Sequence, residues 1–352
     1  MMRRKRILVA PINWGLGHAT RCIPLIRELE KKGFEPVLAS DQQALLLLQE
    51  EFPNLRSYTL PPYNITYSQK GSGLKWKLLR DSPHILKTIR RENAVTEELV
   101  RKERLQGIIS DNRFGVHYPH LRNVFITHQL NVLSGRTTFL SSRIHRNYIR
   151  KFDQCWVPDS PGKRNLSGLL GHPRQIPDNV KYIGLLSRFQ KKKLPLEYEI
   201  TVLLSGPEPQ RGRLEAILMK ELRGCDKKVL FLRGVVGPNP QTLQQDNITV
   251  RDYLSGTDLE HALNSSQIVI SRSGYTTLMD LSRLGKKAFF IPTPGQYEQE
   301  YLAGRMMNMG MAPFCDQEEF CLKKLEELKN YSGLKDINFV GDSAALFSIF
   351  EG

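Results

Sequence analysis

The sequence predicts an α/β protein made of two doubly wound parallel-sheet domains, and three observations carry that reading. Short, near-continuous apolar runs recur, as strands covered on both faces require. Each run ends in a small-residue or polar turn and is followed by a segment with helical spacing. The pattern begins at residues 7–12 and starts again at 200–204, after a polar stretch containing Gln190-Lys191-Lys192-Lys193 that reads as a linker. A chain of 352 residues is long enough for both halves.

In chain order, the first strand (7–12) leads into a glycine-containing turn, Asn13-Trp14-Gly15-Leu16-Gly17-His18. A helix over 19–32 follows, with Cys22, Leu25, Ile26 and Leu29 inward and Gly33 as its stop. The second strand is 34–39. Gly15 and Gly17 supply two glycines of a G-x-G-x-x-G dinucleotide fingerprint, but Thr20 holds the third position. Asp41 stands where a ribose-binding acid would stand. A partial fingerprint is a weak signal, so the glycines read as letting the backbone approach a ligand or a facing domain. His18, at a helix N-terminus, reads as a neutral proton acceptor whose pKa the helix dipole lowers, or as a structural cap. Strands at 107–110 and 124–127 end in Asp111-Asn112-Arg113 and His128-Gln129-Leu130-Asn131, where doubly wound sheets place ligand-binding groups. Strands at 155–158 and 181–184 close this domain.

The second half gives strand 200–204, the turn Ser205-Gly206-Pro207, a helix over 214–222, and strands at 228–232 and 248–250 before Arg251-Asp252-Tyr253-Leu254. The strand 268–270 then enters Ser271-Arg272-Ser273-Gly274, and a helix carrying Leu278, Leu281 and Leu284 stops at Gly285. A strand at 287–292, a polar segment from Thr293 to Glu300 and a helix over 301–309 follow. The turn at 271–274 offers free backbone N–H groups at a helix N-terminus, which suits a phosphate. Asp280, one turn on, is placed to accept hydrogen bonds from ribose hydroxyls. The plainer reading is a strand-to-helix turn capped by Ser or Thr. The expected division is 1–187, 188–335 and a C-terminal segment 336–352 that packs back on the first domain as a helix.

The formal net charge of +15 is uneven: residues 1–198 carry +18 and residues 199–352 carry −3. An anionic partner for the first half follows, such as a membrane surface, a phosphorylated acceptor or nucleic acid. Apolar and basic residues interleave over 74–91, around Trp76, which fits either a membrane-surface helix or an ordinary packed one. The nucleic-acid reading lacks a recognisable reading motif. No apolar run approaches the ~18 residues of a membrane span, and the basic start followed by a short apolar run reads as a first strand, not a leader. Five scattered cysteines without a CxxC favour reduced thiols in a cytoplasm. There is no Walker A motif, G-x-S-x-G elbow, HExxH or DxD.

Ser271-Arg272-Ser273-Gly274, Asp280, Pro292 and Glu298-Gln299 ahead of Ala303 resemble the nucleotide-sugar domain of glycosyltransferases with the B-type fold, closest to the MurG-like family. Gly15-Leu16-Gly17-His18, and His128-Gln129-Leu130-Asn131 with Gly135, resemble that family's segments facing the cleft. The resemblance implies two Rossmann-like domains facing a central cleft. It implies that Asp280 holds the ribose, where the family usually has Glu. Arg272, Ser273, Gly274, Thr276 and Thr277 would face the diphosphate, with Ser205 and Gly206 opposite. The backbone at Tyr253 and Leu254 would contact the base, and Glu298 and Gln299 the donor sugar. Gly15, Gly17, His128 and Asn131 would lie on the acceptor side, and His18 or Asp111 would be the base. The expected activity is inverting transfer of a sugar from a nucleotide donor, UDP-linked, to a lipid-linked or anionic acceptor. No metal or other cofactor is expected, because helix N-termini and Arg side chains would stabilise the leaving group. The expected location is the cytoplasm, at the inner membrane face. An epimerase or hydrolase on the same fold, and a basic nucleic-acid-binding protein, are the alternatives.

Overall fold

The structure is a computed structural model that describes residues 4–63, 74–132, 138–235, 240–254, 256–335 and 343–351. The chain divides into two compact units. Unit 1 comprises Met1–Arg188 with Asn338–Gly352, and unit 2 is Phe189–Ile337.

Unit 1 is built on a seven-stranded sheet of β1 (Arg6–Pro11), β2 (Glu35–Ser40), β3 (Ser57–Thr59), β4 (Gly107–Asp111), β5 (Arg122–Ile126), β6 (Gln154–Val157) and β7 (Val180–Tyr182). The order is β3-β2-β1-β4-β5-β6-β7, and every pairing is parallel. All six residues of β1 are buried, which explains why Ile7 to Ala10 are apolar without alternation, while Arg6 pairs with Glu35 and Glu103. The helices are α1 (Gly17–Lys31), α2 (Gln42–Glu51), α3 (Leu74–Glu103) and α4 (Thr138–Ile149). α1 buries Cys22, Leu25, Ile26 and Leu29 and is followed by Gly33 at φ 83°, a left-handed position that favours glycine. α3 runs unbroken through Pro83, joining two segments that the sequence separates. The side chains of 74–83, Trp76 among them, lie outside the described residues.

A short C-terminal helix, Ser343–Phe347, and a 3-10 turn, Ser348–Phe350, belong to this unit. Phe347 and Phe350 are buried edge-on to Trp156, with ring centroids 5.8 and 6.4 Å away. A Cβ at Gly107 would fall 2.4 Å from the Phe350 ring, so the start of β4 must be glycine for this segment to seat.

Unit 2 has a six-stranded sheet of β8 (Tyr198–Leu203), β9 (Val229–Leu232), β10 (Thr242–Gln245), β11 (Ile248–Arg251), β12 (Ser266–Ser271) and β13 (Lys287–Phe290), in the order β10-β11-β9-β8-β12-β13. β10 is antiparallel, in a hairpin with β11, and the other pairings are parallel. The sequence reading missed β10 because Thr242, Leu243 and Gln244 are all exposed, so the strand buries no alternating face. The helices are α5 (Gln210–Leu222), α6 (Gly256–Asn264), α7 (Tyr275–Leu284) and α8 (Tyr297–Asn308). Leu214, Leu218 and Leu222 of α5, at i, i+4 and i+8, pack on Ile200, Val202 and Phe231 of the sheet. α8 starts four residues before the sequence reading placed it. Glu298 and Glu300 occupy its first turn, where the helix dipole favours acids, and Glu300 accepts the N–H of Gly295 at 2.9 Å.

Candidate active site

Both sheets reverse strand order about their first strand, and the crevice beyond the strand ends at such a reversal is where doubly wound sheets bind ligands. In unit 1 the reversal lies between β1 and β4, whose last residues, Pro11 and Asp111, are register partners. The turn after β1 exposes Trp14 and Gly15, with Gly15 at φ 73°, and places Gly17 and His18 at the start of α1. His18 Nδ1 lies 2.8 Å from Asp111 Oδ1. The sequence offered these two residues as rival bases, and the structure puts one behind the other. Asp111 is fully buried and both its oxygens are engaged, so it is not positioned as a separate base.

The residue that organises this corner is one the sequence reading missed. Arg21, only 1% exposed, donates from Nε to Asp111 Oδ2 at 2.6 Å and from Nη2 to Asp111 Oδ1. Its Nη1 lies 3.1 Å from His128 Nδ1, which must accept because a guanidinium only donates. The Cys22 thiol reaches Asp111 Oδ2 at 3.5 Å. Burial alone would push the Asp111 carboxyl up. Arg21 and His18 outweigh it and hold Asp111 well below the usual carboxylate range. His18 is shifted down, first by burial and then by Arg21, against the upward pull of Asp111. The sequence argument expected the same direction from the helix dipole. A signal for Arg21 did exist: a charged residue beside Cys22 on the inward stripe of α1 must have a buried partner.

A second buried network replaces the ribose role considered for Asp41. Arg113, fully buried, pairs with Asp41 through Nη2 and with Glu92 through Nη1 at 2.7 Å. Glu92 also accepts from Tyr63 Oη at 2.6 Å and from the N–H of Gly115 at 3.1 Å. Burial pushes Glu92 up to about 8. His128 is buried against Arg21. Asn131 is tied down, donating to the Leu169 carbonyl at 2.8 Å and accepting from Arg146 at 3.2 Å. Gly135 lies outside the described residues. Ser167, His172 and Asp159 superficially form a nucleophile triad, but Ser167 is fully buried and donates its hydroxyl to Asp159.

In unit 2 the reversal falls between β8 and β12, with Leu203 opposite Ser271. Their following turns therefore start side by side. One holds Ser205 and Gly206, both exposed, with Gly206 at φ 105°. The other holds Gly274, which takes the extended N-cap conformation of α7 with no side-chain cap. Two buried hydroxyls, Ser271 Oγ at the end of β12 and Thr293 Oγ1 after β13, have no hydrogen-bond partner among the described residues. Thr293 Oγ1 lies 3.7 Å from where a Gly206 Cβ would stand. Thr276, Thr277 and Asp280 lie on α7, each half-buried. Tyr253 and Leu254 follow β11 and are half-buried. The turn they leave is fixed by Asp252, which accepts from Arg233 Nη1 at 2.9 Å and from the Gln241 N–H at 2.8 Å.

Three side chains expected at the ligand are engaged within the protein. Arg272 is 1% exposed, and its guanidinium donates to the carbonyls of Ile291, Pro292 and Gln210 and to Gln317 Oε1, clasping strand ends. Ser273 is fully buried and donates to the Gln299 carbonyl at 2.7 Å. The Gln299 amide accepts the Thr293 N–H at 2.8 Å and donates to Gln296 at 2.7 Å, so its side chain holds the turn ahead of α8. Glu298 remains half-exposed in the first turn of α8. Among the described residues, no group of three His, Cys, Asp or Glu side chains is placed to hold a metal ion.

Residues 215–331 match the glycosyltransferase family 28 C-terminal domain. The chain is 24% identical over 342 residues to the UDP-N-acetylglucosamine–N-acetylmuramyl-(pentapeptide) pyrophosphoryl-undecaprenol N-acetylglucosamine transferase of Haemophilus ducreyi, covering 91% of this chain and 88% of that one. Its fold is similar to that of Acinetobacter baumannii MurG, with a TM-score of 0.56, 12% identity, and 99% of each chain covered. It is also similar to the glycosyltransferase SnogD of Streptomyces nogalater, with a TM-score of 0.61, 15% identity, and 99% and 94% covered. The switch-point geometry of both units, the matched C-terminal domain and these likenesses converge: the chain is a glycosyltransferase of the B-type fold that resembles the MurG-like family.

Proposed function

We propose that this glycosyltransferase takes its sugar from a UDP-linked donor held by unit 2 and passes it, with inversion, to an acceptor hydroxyl deprotonated by His18. The observation that carries the donor half is the pair of strand ends at Leu203 and Ser271. There an uncapped helix N-terminus, the exposed turn at Gly206 and two unpartnered hydroxyls, Ser271 Oγ and Thr293 Oγ1, are gathered. Backbone N–H groups and hydroxyls of this kind suit a diphosphate and its charge as it leaves. We assign the ribose to Asp280, the base to the turn at Tyr253 and Leu254, and the sugar to Glu298. The set needs no bound metal to meet the diphosphate charge. The Haemophilus relative is named for a UDP-sugar donor and a pyrophosphoryl-undecaprenol acceptor, which supports uridine and a lipid-linked acceptor here. Calorimetry with UDP in the presence of EDTA tests the donor half. Saturable binding is expected, weakened about tenfold or more in Asp280→Ala through loss of charged hydrogen bonds of roughly 1.5–3 kcal/mol. Absence of UDP binding by the wild-type protein would end this reading.

The contact with Asp111 suits His18 to the role of base. The ionised carboxylate accepts from Nδ1–H and leaves Nε2 as the lone pair that takes the acceptor proton. His18 Nε2 makes no hydrogen bond among the described residues.

We further propose that unit 1 docks on an anionic membrane face. On α3, exposed Leu86 is flanked by exposed Lys87, Arg90 and Arg91. On α4, exposed Ile144 is flanked by Arg143 and Arg146, with Arg150 just past the helix end. Ile85 and Ile89 of α3 share a small core cluster with Tyr148 of α4, so the two helices are neighbours. Apolar side chains ringed by cations fit an interfacial contact, and no described helix is long and apolar enough to cross a bilayer. Flotation should recover the protein with phosphatidylglycerol vesicles at low salt and not with phosphatidylcholine vesicles. Equal recovery with both lipids would remove the electrostatic argument.

A further inference from the structure

An imidazole 2.8 Å from a buried carboxylate ordinarily becomes easier to protonate, because the charged form gains the neighbour's field. A base drawn up in this way would be blocked by its own proton across a wide pH range. In this chain a third charge sits on the same carboxylate. Arg21 lies one helical turn after His18 on α1 and forks onto both Asp111 oxygens, a planar two-point grip that a lysine cannot reproduce. Its remaining terminal nitrogen is spent on His128 Nδ1 at 3.1 Å. The guanidinium therefore bridges two strand ends, those of β4 and β5, from a position behind the ring of His18.

The charged and titratable groups facing His18 come from three elements. α1 gives Arg21 and, through Asp111, the Cys22 thiol. β4 gives Asp111, and the turn after β5 gives His128. Burial disfavours the imidazolium most, Arg21 next and His128 least, and Asp111 favours it. Burial pushes the Cys22 thiol well up, so it stays neutral and adds no charge. The guanidinium opposes the pull of the carboxylate at the ring, while the hydrogen bond from Nδ1 remains.

We propose that Arg21 is a positioning residue for sugar transfer: it clamps Asp111 and His128 so that Asp111 fixes the tautomer of His18 without charging it. The proposal rests on His18 being the base, so its test needs a readout independent of turnover. His18 is followed by NMR pH titration in protein carrying labelled histidine, assigned with His18→Gln. In Arg21→Gln, which keeps a hydrogen-bond donor and loses the charge, the His18 midpoint should rise by about one to three units. The acid limb of UDP release from UDP-N-acetylglucosamine, with water as the acceptor that His18 deprotonates, should rise with it, while UDP affinity stays unchanged. A folded Arg21→Gln protein whose His18 midpoint does not move overturns the proposal. A midpoint that rises without the acid limb following leaves the charge relation standing and overturns His18 as the base. Arg21→Lys keeps a charge in place and serves if the Gln variant does not fold. Its midpoint should stay near that of the wild type while kcat falls about ten- to a hundred-fold through lost orientation. Wild-type kcat in that variant also overturns the proposal.

Discussion

Replacing His18 with Ala should lower release of UDP from the donor by about 100- to 10,000-fold while leaving the calorimetric affinity for UDP unchanged. The separation follows from the fold. His18 belongs to unit 1, at the start of α1, and the residues assigned to the nucleotide belong to unit 2. Losing the imidazole removes a proton acceptor and should not disturb the strand ends at Leu203 and Ser271. Asp111→Asn should cost a comparable factor for a different reason. An amide facing Nδ1 no longer compels that nitrogen to carry the proton, so Nε2 can lose its lone pair to the wrong tautomer. The substitution also leaves the buried Arg21 without its carboxylate, so thermal denaturation must accompany the kinetics. If His18→Ala releases UDP at the wild-type rate, the base lies elsewhere in the chain.

Much of this arrangement was legible in the sequence, and the part that was not has a common cause. Gly15, Gly17 and His18 stood out because a short apolar run followed by glycines and a helix reads as a strand leaving a sheet. Asp111 stood out for the same reason at β4. The pairing of Arg21 with Asp111 joins residues 90 positions apart, and no local spacing encodes it. Arg272 shows the opposite case. A cation beside Ser271, Ser273 and Gly274 reads as a phosphate ligand, yet the residue lies inward, bonded to four oxygen acceptors. Sequence reports charge but not depth, and depth decides whether an arginine meets a ligand or the backbone. Ser273 and Gln299 also bond inside the protein, because a hydroxyl and an amide serve a turn as readily as a sugar.

The largest loss of stability should come from Arg113→Leu, at roughly 3–5 kcal/mol, because it strands two buried carboxylates at once. Asp41 would keep only the long contact from Asn13 Nδ2 at 3.5 Å, and Glu92 only Tyr63 and the Gly115 N–H. The sign of the pH dependence identifies the mechanism. Burial already pushes Glu92 up to about 8, and losing the guanidinium should push it higher. A carboxyl whose folded pKa exceeds its unfolded value, about 4, keeps its proton when folded and loses it when unfolded. Stability then falls as pH rises through that window and is recovered towards its acid end. The deficit of Arg113→Leu relative to wild type should therefore be smaller at pH 5 than at pH 8. Trp14, Trp76 and Trp156 all lie in unit 1, so urea titrations followed by tryptophan fluorescence report this unit without interference from the other. An equal deficit at both pH values would mean that the loss comes from altered packing at position 113 and not from uncompensated charge, and the ion network would lose its assigned role.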